Sequence, residues 1–119
     1  MAVPDRASPP LKRRHYLILL ALAGGDRHGL GVAREVEALS DGSVRLWPAT
    51  LYGSLEDLRE TGWIEELDDP RRPPDESERK RFYRLTPAGR RVAAAETERL
   101  AALVKVARGR VKPRTGEAG

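Results

Sequence analysis

The segment RLWPATLYGSLEDLRETGWIEEL, residues 45 to 67, sets Thr50, Gly53 and Ser54 at i, i+3 and i+4 just behind Pro48. On a helix these three share one side. That side is low in profile, and its two hydroxyls can bond phosphate oxygens or base edges. A helix opening at Pro48 also presents free backbone N–H groups and a positive dipole end, which suit a phosphate. An ordinary core helix with small exposed side chains has the same pattern. The acids Glu56, Asp57 and Glu60 in the second half favour that plainer reading, unless only the first two turns enter a groove.

Carriers of catalytic chemistry are few. The chain has no cysteine, which excludes disulfides and thiolate metal sites and fits a reducing, cytoplasmic location. Its two histidines, His15 and His28, belong to no HExxH or phosphate-loop pattern, and His28 before Gly29 reads as a helix-start position. The carboxylates cluster in a polar stretch rather than flanking a pocket. No enzyme activity, metal or cofactor is expected.

Charge points to a different class of partner. Between Glu56 and Glu78 ten acidic residues stand against three basic ones; between Arg79 and Arg114 twelve basic residues stand against two acidic. Such segregation suits a polyanionic partner, although a solvated basic helix would look the same. Arg71 and Arg72, with Arg79, Lys80 and Arg81, can straddle a nucleic-acid backbone or enter a minor groove. Their neighbours Glu65, Glu66, Asp68, Asp69, Asp75, Glu76 and Glu78 repel phosphate, so net attraction requires these acids to point elsewhere. A solvated loop with internal ion pairs is the alternative.

The elements that must position these groups follow from periodicity and caps. At 119 residues the chain is one domain with a modest core. The longest apolar run, YLILLALA, is far short of a membrane span, and the mean hydropathy of −0.56 agrees. No signal peptide is expected, since prolines and three basic residues precede that run and no small-residue cleavage site follows. Residues 1–9 read as a flexible tail. A first helix is expected from near Pro10 to Ala23, stopped by Gly24 and Gly25, since only glycine takes a left-handed cap cheaply. A second fits 29 to 39, with Leu30, Ala33, Val36 and Val32 inward, and SDGS at 40 to 43 ends it.

The third helix starts at Pro48 and ends before Gly62, with Leu51, Leu55 and Leu58 on its buried face. Strands are expected over 63–67 and 80–85, joined by the long polar loop. Thr86 and Pro87 form an N-cap and N1 pair for a last helix, 87–109, and 110–119 is a tail. The fold class is mainly α with a small β-hairpin: a winged helix-turn-helix over 10–86 plus a long C-terminal helix. Trp47 and Trp63 read as core anchors for the wing.

Four stretches in this order resemble the PadR-type transcriptional regulators: LILLALAGGDRHGLGVAREVE, LWPATLYGSLEDLRETGWIEE, KRFYRLTPAGRR and the helix after it. The resemblance covers roughly residues 11 to 108. It implies that the 48–61 helix reads DNA and runs into a wing. Gly53 departs from a frequent proline of the family, which bears on base contact rather than on the fold. Thr50, Tyr52, Gly53 and Ser54 are assigned to the groove. Arg71, Arg72, Arg79, Lys80 and Arg81 are assigned to phosphates, with Lys12, Arg13 and Arg14 as a flanking contact or a solubilising start to the first helix.

The last helix has an apolar stripe of Val92, Leu100, Leu103, Val104 and Ala107. Spanning roughly 35 Å, it exceeds what a small domain can cover, so it either meets a second copy or folds back on the first helix. The resemblance is to short members of the family, in which this helix pairs with its mate, assisted by the first. The expected homodimer interface is Leu17, Leu20, Leu100, Leu103, Val104 and Ala107. Two reading helices about 34 Å apart would then meet a near-palindromic site. Some relatives bind a small-molecule effector with aromatic side chains of the last helix; here that helix has none, so an effector stays an open but unsupported alternative. The expected function is a dimeric repressor binding double-stranded DNA. A winged-helix module for a protein partner, without DNA, is the alternative.

Overall fold

A computed structural model describes residues 11–68 and 81–113. The elements are α1 (Arg13–Ala23), β1 (Arg27–His28), α2 (Gly29–Leu39), α3 (Pro48–Glu60), β2 (Ile64–Leu67), β3 (Phe82–Leu85) and α4 (Pro87–Arg110). The architecture is mainly helical with a small antiparallel sheet, ordered β1-β3-β2.

Each helix starts and stops for a local reason. Lys12 is extended, at φ −65° and ψ 149°, so α1 opens at Arg13 rather than at Pro10. Of the two glycines that end the helix, Gly24 keeps helical dihedrals and Gly25, at φ 154°, makes the turn. Pro48 sits in the first turn of α3, where its missing N–H costs nothing. At the other end Gly62, at φ 83°, lets the Trp63 N–H donate back to the Leu58 carbonyl at 3.1 Å. Thr86 caps α4 as its sequence predicts: its Oγ1 accepts from the Gly89 N–H at 3.0 Å and donates to the Gly62 carbonyl at 2.7 Å.

The core gathers Ile18, Leu19 and Leu22 of α1, Val32 and Val36 of α2, Leu51, Leu55 and Leu58 of α3, and Ile64, Tyr83 and Leu85 of the sheet. The expected inward face of α3 is confirmed. That of α2 is corrected: Val32 and Val36 are fully buried, whereas Leu30 is 59% exposed. The physical reason is helical phase. Positions 32 and 36 are four apart and share the face toward α1, and Leu30 lies off it.

The strands are shorter than expected, and one was not expected at all. β2 and β3 pair in the register Ile64↔Leu85 to Leu67↔Phe82. β1 adds two residues, Arg27↔Tyr83 and His28↔Phe82, with the His28 and Phe82 rings edge to face at 4.7 Å. Two residues carry no alternation to detect, so only pairing across the fold reveals them.

The first half of α4 packs back on α1. Ala93 and Glu96 are buried, and the Tyr16 and Thr97 hydroxyls are hydrogen-bonded at 2.7 Å. From Ala101 to Arg110 every residue of α4 is exposed. Folding back on the first helix and leaving an uncovered stripe both occur, in successive halves of one helix.

Candidate nucleic-acid interface

Leu51, Leu55 and Leu58 anchor α3 in the core and turn Thr50, Tyr52, Gly53, Glu56 and Asp57 outward. The helix carries no acidic side chain in its first turn and no side-chain cap on that end. Its leading end is therefore positive by its dipole, and its acids lie in later turns. Thr50 and Gly53 are exposed, as their assignment needs.

Ser54 is corrected. It is 2% exposed, and its Oγ accepts a hydrogen bond from Arg14 Nε at 3.0 Å. It faces α1, not a groove. Its hydroxyl seats a guanidinium beneath α3, so Arg14 has a structural duty rather than a flanking contact. Nearby, Nε2 of the buried His15 lies 3.8 Å from the Asp57 carboxylate. Burial first, and then the neighbouring Arg14, hold the His15 pKa below its usual 6.5, with Asp57 opposing.

Tyr52 is 40% exposed and leans on the start of α2. A Cβ placed on Gly29 would lie 2.9 Å from its ring and from its hydroxyl, so glycine is what admits this ring. His-Gly and Thr-Leu-Tyr, distant in sequence, thus meet in one contact. Between α3 and the sheet lies a cleft of about 570 Å³, lined by Tyr52, Tyr83, Arg59, Glu56, Arg81 and Glu66 among others. Its charges are matched: Arg59 Nε donates to Glu56 at 3.0 Å, and Arg81 pairs with Glu66. The Arg59 hydrogen bond holds the Glu56 carboxyl below the usual range. Burial, helped by Glu66, pushes the Tyr83 phenol up to about 12.

Arg81 is exposed at the base of the ribbon, where sequence placed it, but paired. Arg84 likewise meets Glu65 at 2.9 Å across the strands. The acids of β2 thus face the cations of β3 instead of pointing away, because antiparallel register sets Glu65 opposite Arg84. Arg71, Arg72, Arg79 and Lys80 lie outside the described residues. Lys12 and Arg13 are exposed, and Arg13 donates to Ser43 Oγ at 3.3 Å.

A family model described as "Transcriptional regulator PadR-like family" matches residues 18–95. The chain belongs to this family. The match spans the core of α1, the helix pair α2 and α3, the sheet and the first half of α4. PadR-like proteins are transcription regulators and not enzymes. A curated protein described as uncharacterized, of 37.1 kDa and in transposon TN4556 of Streptomyces fradiae, is 37% identical over 87 residues. Those residues are 73% of this chain and 23% of that protein, so the chain spans about a quarter of the curated relative it matches. A transcriptional regulator from Clostridium thermocellum superposes with a TM-score of 0.68 at 25% identity, over 83% of this chain and 90% of that one. A PadR family regulator from Clostridium difficile R20291 shares the fold at a TM-score of 0.67 and 19% identity, over 84% and 99%.

Within this PadR-like frame the dimer assignments divide. Leu103 and Val104 are 62% and 46% exposed, Ala107 is exposed, and Leu20 and Leu100 are half-buried. Leu17 is corrected: at 8% exposure it lies in the chain's own core. Val106, outside the apolar stripe expected from sequence, is also 48% exposed beside Leu103. Trp63 packs against the core as expected, but Trp47 does not, being 66% exposed. Trp47 is the extended residue just ahead of α3, at φ −73° and ψ 158°. Among the described residues no group of His, Cys, Asp and Glu is arranged to hold a metal ion, and no helix is long and apolar enough to cross a membrane.

Proposed function

We propose that this PadR-like chain is a cytoplasmic, dimeric repressor that occludes a promoter by binding a near-palindromic operator. The observation that carries the reading is α3 itself. It is anchored by three fully buried leucines, its first two turns expose Thr50, Tyr52 and Gly53, and its leading end is free of acid. Those residues meet base edges in the major groove, while cations of the β2–β3 segment, Arg71, Arg72, Arg79, Lys80 and Arg81, meet flanking phosphates. Leu103, Val104 and Ala107, with Leu100 and Leu20 at the margin, pair with a second copy. Two α3 helices then face successive turns of the duplex.

A second reading has one observation in its favour. The described cations nearest the wing, Arg81 and Arg84, are matched by Glu66 and Glu65, which suits a protein partner as well as DNA. Fluorescence anisotropy separates the two. The chain is titrated onto its own upstream intergenic duplex and onto a scrambled duplex across a salt series. Preference for its own duplex at physiological salt, with affinity falling steeply as salt rises, is the expected result. Binding to neither duplex overturns the repressor reading in favour of the protein partner.

A further inference from the structure

The exposed Trp47 is unaccounted for by the core, the sheet or the dimer. Its indole is 66% exposed, and the Arg45 guanidinium sits over it, 5.9 Å from the ring centroid. Beside it, Leu30 is 59% exposed, and Leu30, Leu46 and Trp47 border a shallow groove of about 230 Å³ between α2 and the start of α3. An indole left in water at this size is a large unspent apolar surface, of the kind enriched at binding interfaces.

The charge around this groove selects the occupant. Arg34 and Arg45 line it, against the single carboxylate Glu37. Glu37 is held by Arg45 at 3.4 Å, which leaves Arg34 as surplus positive charge. Trp47 is also the N-cap of α3, so the acid-free, positive end of that helix begins at the indole itself. An apolar plate bordered by guanidinium groups and a helix N-terminus matches an alternation of deoxyribose and phosphate.

We infer that Trp47, Arg45 and Arg34 form a seat for one DNA strand at the edge of the groove that α3 enters. The indole lies against deoxyribose, Arg34 meets the adjacent phosphate, and Arg45, paired with Glu37, steadies the indole. The contact is independent of base sequence, so it positions α3 rather than reading the operator. It rests on the DNA-binding reading above and adds a contact surface distinct from Thr50, Tyr52 and the ribbon cations.

The test uses the full chain, its own upstream duplex and a scrambled duplex of equal length. W47A is expected to weaken binding to both by about ten-fold, whereas W47F, which keeps an aromatic plate, stays within about three-fold. R34A is expected to flatten the slope of log K against log salt by about 0.9, the share of one phosphate. Acrylamide quenching reads the indole directly, the difference between wild-type and W47F emission isolating Trp47 from Trp63. That difference signal is expected to become protected when duplex is added. Unchanged affinity in W47A, or an indole that stays open to quencher in the complex, overturns the seat while leaving the DNA-binding reading intact. A loss confined to the chain's own duplex overturns it too, because the indole would then read a base. If the wild-type chain binds neither duplex, the DNA-binding reading itself fails and the seat falls with it.

Discussion

Gly29, at the start of α2, and Tyr52, on α3, are in contact so close that no side chain fits between them: a Cβ on Gly29 would stand 2.9 Å from both Cε1 and Oη of the tyrosine. The obstructing atoms are the far end of a half-exposed ring, which can swing away. Gly29→Ala is therefore expected to cost under about 1 kcal/mol in urea denaturation, since the ring moves rather than the backbone. It should nevertheless weaken DNA binding by displacing Tyr52. In a Tyr52→Ala background, Gly29→Ala should have no further effect on binding; independent, additive losses would show that the contact is incidental.

Gly89 behaves in the opposite way. Its Cβ would lie 2.0 Å from the Trp63 carbonyl oxygen, a backbone atom already accepting the Thr86 N–H at 3.1 Å. Nothing there can yield without unseating α4 from the wing. Gly89→Ala is expected to cost about 3 kcal/mol or more, seen as a lowered denaturation midpoint with two-state character retained. A change below about 1 kcal/mol would mean that the helix start is looser than its cap geometry indicates.

Ser54 and Arg14 provide a test of structural against groove-reading roles. Ser54→Ala removes the acceptor for a half-buried guanidinium, at an expected cost of about 1–2 kcal/mol. Because the hydroxyl faces α1, the salt slope of DNA binding should not change. A normal melting curve with weakened binding to the chain's own duplex alone would return Ser54 to the groove.

His15 should impose a pH dependence. Its folded pKa lies below 6.5 through burial and then Arg14, so the unfolded chain takes up the proton first. Its contribution is flat above 6.5, and stability falls as pH drops through 6.5 toward the lowered folded value. Denaturation midpoints at pH about 7.5 and about 5.5 should therefore differ more in the wild type than in His15→Gln. Equal differences would show that the imidazole titrates freely beside Asp57.

Leu103, 62% exposed on the outer half of α4, belongs to the proposed dimer stripe. Leu103→Glu should yield monomers by sedimentation velocity, with helical content close to that of the wild type outside the last turns. A dimer that survives the substitution moves the interface off α4.

Much of this protein is legible along the chain because the signals are local. Pro48, Gly62 and the Thr86–Pro87 pair mark helix ends through their own backbone chemistry, and Leu51, Leu55 and Leu58 mark a buried face by spacing alone. The linked motifs of α2, α3 and β3 carried the family as well, and with it the winged architecture.

What only the tertiary structure decided are relationships between segments far apart in sequence. Thr50 and Ser54 share a side by helical spacing, yet α1 crosses over one and leaves the other in solvent, and the serine is spent on Arg14, 40 positions away. Trp47 is apolar by composition yet 66% exposed just ahead of α3, whereas its neighbour Leu46 packs against the core. The acids of β2 meet the cations of β3 because antiparallel register sets Glu65 opposite Arg84. Periodicity tells which side of a helix is apolar. Which polar side is free for a partner depends on what packs across it, and that is settled only when the chain closes on itself.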